Sequence, residues 1–355
     1  MKWSLIQPLS RTKAKVREGF IKSLAFSGLF ATFVLHSKTD IMNSSMKIDF
    51  TQFDSLIAVA TYFTTDDICK QAIAESRWPD DDAVCPYCGE HHCHKCKDGR
   101  YLCKRCNHKF NVTVGTIFEN TKLPLRKWFF AMYLVSSHKK GISSHQLSRD
   151  IKVTQKTAWY ILHKIRSLYG QDDTVQLSEG VECDEAYIGG QEKYKHESKK
   201  TEGTQGRSLK TKVPVFGMVQ RGGDVVAKQT ADTKGRTLMP IIRQFVKEGS
   251  RIYTDEYIGY NTLTESEYTH AVVNHGAKQY VDGDNYTNTI EGFWSHLKRM
   301  IVGIYHFVSA KYLQRYVDEE VYRWNTREAT ESSRFQSMFK NAEKVFTYKD
   351  VKEAA

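Results

Sequence analysis

Apolar residues recur at helical spacing over residues 50–78, where Thr64, Thr65, Asp66 and Asp67 supply a helix start ahead of Ile68, Ala72 and Ile73. The same period returns at Leu125, Trp128, Phe129, Met132, Tyr133 and Val135, so a second helical stretch is predicted there. Residues 143–149 read as a short helix, 150–153 as a turn, and Thr154 as the N-cap of a longer helix through Tyr169. The polar stretch 171–178 closes this helical half. Beyond it the pattern changes to strands at 181–183, 213–219 and 225–230, with Gly222, Gly223 and Asp224 as a hairpin turn. A helical run at 237–247 follows, then strands at 251–254 and 268–273. Two more helices place Ile290, Phe293, Trp294 and Leu297 on one face, and Leu313, Val317, Val321 and Trp324 on another, the latter read as core packing. The predicted class is α+β and multidomain, with helices first and then a mixed sheet flanked by helices.

At 355 residues there is room for two or three domains, and 40% hydrophobic with 26% charged residues is ordinary for a globular protein. A formal charge of +11 favours a polyanionic partner, nucleic acid or an anionic membrane surface. Six of the eight cysteines fall between Cys85 and Cys106. Cys85, Cys88, Cys103 and Cys106 form two C-x-x-C knuckles fourteen residues apart, the spacing of a structural Zn²⁺ ribbon. Cys93 and Cys96 are then spare, and Cys69 belongs to a core. Thiolate ligation implies a reducing compartment, hence a cytoplasmic protein. Residues 1–45 carry a basic start and an apolar run at 23–35 that resembles a signal-peptide core. Among a signal peptide, an amphipathic anchor and translation upstream of a start at Met42 or Met46, the last is expected.

Three acids stand out. Asp184 and Asp255 each end a strand-like run, and Glu291, with 35 residues between it and Asp255, lies within a helix. Oxygen ligands so placed make a cage for hard divalent cations, provided that the first and fourth strands are neighbours. Glu182, Glu185 and Glu256 are expected to face elsewhere. Arg105 on the second knuckle suits phosphates, and Gln155, Lys156 and Thr157, at the start of the second helix of a helix-turn-helix, suit base edges or phosphates. The polar stretch 191–212, with Lys193, Lys195, Lys199, Lys200, Arg207, Lys210 and Lys212, either grips DNA or stays solvated.

The knuckles together with GTIF, LPLRKWF, GISSHQLSRD, TAWYILHKIR, VECDEAYIGG, YTDEYIGY, NTIEGFWSHLKR and SAKYLQRY resemble the zinc-ribbon, ISXO2-like group of insertion-sequence transposases with an integrase-like DDE domain. The resemblance covers about residues 46–327 and implies a ribonuclease-H-like catalytic domain. It implies that Asp184, Asp255 and Glu291 hold Mg²⁺ or Mn²⁺, as two ions, and that Lys298, with Arg299 beside it, contacts transposon-end DNA. Asn288, one turn before Glu291, is an alternative third ligand. The activity implied is cleavage and strand transfer of DNA by a homo-oligomer away from membranes. A domesticated, non-catalytic DNA-binding relative is the alternative, and a nuclease a third option. The expected organisation is an extension (1–45), a helical lead-in (46–80), the ribbon (81–115), the helix-turn-helix (120–170), the catalytic domain (178–330) and a C-terminal tail (331–355).

Overall fold

The computed structural model describes residues 47–189, 195–204, 206–260, 263, 267–273 and 286–353. The expected extension, its apolar run, Met42, Met46 and the loop residue Lys193 lie outside them. The chain divides into two units, Met1–Lys47 and Ile48–Ala355, and the elements that follow lie in the second. Among the described residues no helix is long and apolar enough to cross a membrane.

The helical spacing over 50–78 becomes α1 (Leu56–Tyr62) and α2 (Asp66–Arg77). Ser55 and Thr65 cap them, each side-chain oxygen accepting a backbone N–H three residues on, and Asp66 and Asp67 put negative charge at the positive end of the α2 dipole. Three two-residue strands follow, β1 (His94–Lys95), β2 (Tyr101–Leu102) and β3 (Lys109–Phe110), an antiparallel set too small for a core of its own. Next come α3 (Leu125–Ser137), α4 (Ser144–Asp150) and α5 (Gln155–Arg166), with Thr154 capping α5 and a 3₁₀ turn at Ser167–Tyr169 ending it.

Residues 331–353, expected as a tail, instead form α9 (Glu331–Lys340) and α10 (Tyr348–Glu353), numbered after α6 to α8 below. Phe339 of α9 packs 4.8 Å from Phe129 of α3 and 5.1 Å from Phe50, and Phe129 in turn lies 4.8 Å from Phe63. One apolar interior therefore joins the lead-in, the ribbon, the α3–α5 helices and the end of the chain.

Five strands make the larger sheet: β4 (Gly180–Gly189), β5 (Lys212–Gln220), β6 (Val225–Gln229), β7 (Arg251–Asp255) and β8 (Thr269–Val273), in the order β6-β5-β4-β7-β8. The first three pair antiparallel, whereas β7 runs parallel to both β4 and β8. Between β6 and β7 the chain forms α6 (Gly235–Phe245), which packs on the face carrying Val181, Cys183, Phe216 and Met218. The opposite face, with Ala186, Ile188, Val215 and Val219, is covered by α7 (Asn288–Met300) and α8 (Leu313–Asn325). Helix α7 sits directly on the sheet because β5 offers it Gly217. A Cβ there would come within 2.6 Å of the Trp294 ring and 3.0 Å of Ile290.

Candidate functional site

The Sγ atoms of Cys85, Cys88, Cys103 and Cys106 all lie within 4.8 Å of one another, with Cys85–Cys106 and Cys88–Cys103 each 3.6 Å apart. Thiolates about 2.3 Å from a central Zn²⁺ stand about 3.8 Å from each other in a tetrahedron, so the four fit that ion. Both knuckles turn through a left-handed residue, Gly89 after Cys88 and Asn107 after Cys106, the two residue types that adopt positive φ most readily. The backbone N–H of Cys106 draws the Cys103 thiol down to about 6. Cys93 and Cys96 turn instead towards the carbonyls of Glu90 and His94. Among the described residues no other group of three or more His, Cys, Asp or Glu converges so closely.

The three acids form a looser set. Strands β4 and β7 are neighbours, with Gly180 level with Arg251 and Glu182 level with Tyr253. The pairing ends there; continued two residues, that register would set Asp184 level with Asp255 at the carboxyl end of β7. Burial pushes the Asp184 carboxyl up to about 6, and the like charges of Asp255 and Glu291 push it the same way. The indole N–H of Trp294 donates to Asp184 Oδ2 at 3.0 Å. Asp255 Oδ1 accepts the backbone N–H of Tyr257 at 3.0 Å, and its Oδ2 pairs with Arg207 at 3.1 Å. Arg207 also stacks 4.8 Å from the Tyr257 ring, so one cation of the basic loop is spent on this acid. Glu291 and Asn288 are both exposed, one turn apart on α7, with Lys298 and Arg299 in its last turn.

One glutamate expected to face elsewhere, Glu182, belongs to this neighbourhood. Glu182 is two residues from Asp184, so strand alternation puts it on the same face, the one that α7 covers. Fully buried, it accepts the backbone N–H groups of Thr289 and Ile290 at 2.9 and 3.0 Å and pairs with Arg221 at 2.9 Å. Arg221 lies between the Tyr253 and Tyr286 rings, 3.6 and 3.7 Å from their centres. Helix α7 has no side-chain cap of its own, so a strand residue supplies it, and that clamp sets where Glu291 begins its approach to Asp184. Glu182→Ala leaves Arg221 without its buried counter-charge and is expected to destabilise the fold by about 3–5 kcal/mol, measured by urea unfolding. A loss under about 1 kcal/mol, within the range of an ordinary surface pair, would remove Glu182 from this role. On the other face Glu185 accepts the Tyr260 hydroxyl, and burial raises its carboxyl to about 7.

A second buried charge cluster ties α5 to α8. Glu319, read from sequence as part of a core-packing helix, pairs with Arg166 at 2.7 Å and with Arg323 at 2.7 Å. Although burial opposes its charge, these two cations hold Glu319 at about 2. Tyr305 adds its hydroxyl at 3.0 Å, and its ring faces the Arg166 guanidinium.

Among the residues expected at phosphates and bases, Gln155 donates its amide to Ser144 at 2.8 Å and Thr157 bonds Thr154 at 2.9 Å. Lys156 stands exposed between them. Arg105 is exposed on the ribbon and pairs with Glu90 at 3.1 Å.

The family model described as the ISXO2-like transposase domain matches residues 176–325, a span holding Asp184, Asp255, Glu291 and Lys298. The model described as the transposase zinc-ribbon domain matches residues 64–109, which hold all four clustered cysteines. An uncharacterized protein in transposable element ISH50 of Halobacterium salinarum is 34% identical over 214 residues, covering 57% of this chain and 70% of that relative. An uncharacterized transposase-like protein of Haemophilus influenzae is 34% identical over 97 residues, covering 27% of this chain and 77% of its own length. A solved simian T-cell lymphotropic virus intasome in complex with PP2A regulatory subunit B56 gamma shares 12% identity, over 52% of this chain and 66% of that one, with a TM-score of 0.25.

Proposed function

This chain belongs to the ISXO2-like transposase family, and from that premise we propose that it binds the ends of its own insertion sequence and catalyses strand cleavage and strand transfer there. The observation that carries the proposal is the parallel pairing of β4 with β7, a register that would bring Asp184 level with Asp255 if continued two residues, together with the influence of both Asp255 and Glu291 on the Asp184 carboxyl. In this reading the five-stranded sheet is ribonuclease-H-like. A half-buried carboxylate facing two like charges calls for a cation, and among the described residues Arg207 supplies one positive charge, at Asp255. Asp184, Asp255 and Glu291 would hold Mg²⁺ or Mn²⁺, as a pair, and the ions when bound supply Lewis acidity for in-line displacement at phosphorus.

The protein's own groups do the rest. Glu182 and Gly217 hold α7 against the sheet, where Glu291 acts on the Asp184 carboxyl. Lys298, two turns beyond Glu291, offers a point charge to a phosphate of the transposon end, with Arg299 beside it. Water would attack phosphorus at the end of the element, forming one P–O bond as the P–O3′ bond breaks, and leave a 3′-hydroxyl and a 5′-phosphate. That hydroxyl then forms a new P–O bond in target DNA as another breaks. Neither step needs a covalent protein intermediate, in keeping with the lack of a serine or tyrosine nucleophile motif.

The four clustered cysteines would carry structural Zn²⁺, and α4 with α5 would serve as the helix-turn-helix, Lys156 being its exposed contact and Arg105 a backbone contact on the ribbon. Joining two ends calls for a homo-oligomer on DNA, and thiolate ligation suits the cytoplasm. The test is the purified chain with Mg²⁺, a labelled duplex ending in the DNA that flanks the gene, and a supercoiled target. Joined products are expected. End binding without any cleavage in Mg²⁺ or Mn²⁺ would favour the domesticated, non-catalytic alternative, and cleavage without joining a nuclease.

A further inference from the structure

Helix α7 does not end in an ordinary cap. It runs into a π-helical turn, Ile301–Tyr305, after which His306 takes φ 60° and ψ −45°. The N–H of Phe307 donates back to the Tyr305 carbonyl at 2.6 Å, closing a three-residue turn of the positive-φ kind, which is rare and strained. Two uncommon backbone features thus follow each other directly, and such features persist where surrounding contacts hold them. The holder here is the buried charge cluster, since Tyr305 is bonded to both carboxylate oxygens of Glu319, which Arg166 and Arg323 grip in turn. Gly141 leaves room for the Tyr305 hydroxyl, against which any Cβ at that position would collide. On the far side Val308 is buried. Between these two anchors Phe307 is 68% exposed, and Val302 of the π-helical turn is 56% exposed.

The chain on either side of Phe307 is basic, although Glu320 acts on Arg299 and Asp350 on Arg315. From residue 292 to 317 there is no Asp or Glu, while Lys298, Arg299, Lys311 and Arg315 are all present. Lys140, from the α3–α4 connection, lies near α7 as well: burial, Arg299 and Lys140 together lower the His296 imidazole. A second copy of this chain meeting the patch face to face would set these cations against themselves, whereas a polyanion meets them favourably.

Resting on the DNA-transposase reading, we propose that Phe307 is an apolar wedge that enters bound DNA next to the phosphates held by Lys298 and Arg299 and stacks on a nucleobase displaced from its neighbour. An exposed aromatic ring on a rigid, strained support within a cationic field suits such unstacking, because the support does not yield when the base step is opened. The buried cluster that braces it starts on α5, so the helix proposed to bind DNA and the wedge move as one piece.

The experiment uses duplexes cut from the DNA flanking the gene on each side, with 2-aminopurine at single positions near the junction, bound by the full chain in EDTA. Fluorescence should rise on binding at one position or two adjacent ones. Phe307→Ala should abolish the rise while weakening binding by about tenfold or less, and Phe307→Trp should restore it. Duplex that binds without a rise at any position would overturn the wedge and leave the transposase reading standing. Failure to bind either flank would overturn both. If Phe307→Ala instead separates an associated chain in sedimentation and leaves the fluorescence rise intact, the residue makes a self-contact and the proposal falls.

Discussion

Asp184→Asn is expected to abolish Mg²⁺-dependent cleavage, by a factor on the order of 10³ or more, while leaving end binding intact. The same substitution should make the metal-free protein more stable at pH 7. Burial, with Asp255 and Glu291 adding to it, raises the Asp184 carboxyl from 3.8 to about 6. A carboxyl raised on folding contributes stability below its unfolded pKa and loses it as pH rises through the folded one. At pH 7 the native carboxylate is therefore charged against its preference, which at about 1.4 kcal/mol per pKa unit costs up to about 3 kcal/mol. Asparagine removes that cost and can still accept the Trp294 N–H. Thermal melts in EDTA should show the variant above the parent at pH 7 and the gap closing towards pH 4, whereas Mg²⁺ should stabilise the parent alone. Retained cleavage would take Asp184 out of the site, and a lower melting point for the metal-free variant would show that its charge is already compensated.

Cys103→Ser should release the zinc and unfold the part of the protein built on it. A structural Zn²⁺ site is worth about 10–16 kcal/mol in small modules, comparable to or larger than the whole stability of a typical domain. The three short strands of the ribbon have no interior of their own, and their buried side chains, Tyr101 and Phe110 among them, pack into the same core as α2, α3 and α9. Trp78 meets Tyr101 at 4.8 Å, so the damage should spread from the ribbon to the helices. Metal analysis should fall by about one zinc per chain, and hydrogen exchange should lose protection across α1 to α5 and α9 while the sheet core keeps it. A variant that still holds its zinc would bring Cys93 and Cys96 into the ligand set.

These two outcomes separate the halves of the molecule because their interiors differ in kind. The first is gathered around a thiolate cluster and aromatic rings, and the second around a strand buried on both faces. Asp184 in its centre is half-buried, so ionisation there is costly and a cation at that point has a large effect.

What the sequence settles by itself is what neighbours along the chain decide. Helical and strand periods place the elements, Thr65 and Thr154 announce their helices, the C-x-x-C pairs bring thiols together within a few residues, and Asp255 is recognisable at a strand end, whereas Asp184, expected to end a strand as well, lies in the middle of β4, which pairing with β5 prolongs to Gly189. Boundaries shift by a turn, as at Arg166, where a 3₁₀ turn replaces the last turn of the expected helix. The helical end of the chain shows an amphipathic period but not which surface it covers, and so residues 331–353 look like a tail until Phe335 and Phe339 meet the first core. Glu182 looks like one more strand acid. Only the folded register brings it under the first turn of α7, 108 residues further along at Ile290. The pairing of Arg166 with Glu319, 153 residues apart, and of Arg207 with Asp255 likewise depends on which elements pack together. Periodicity and capping act between residues within one turn or one pleat, whereas a buried charge finds its partner only after strand order and helix docking have brought distant surfaces into contact.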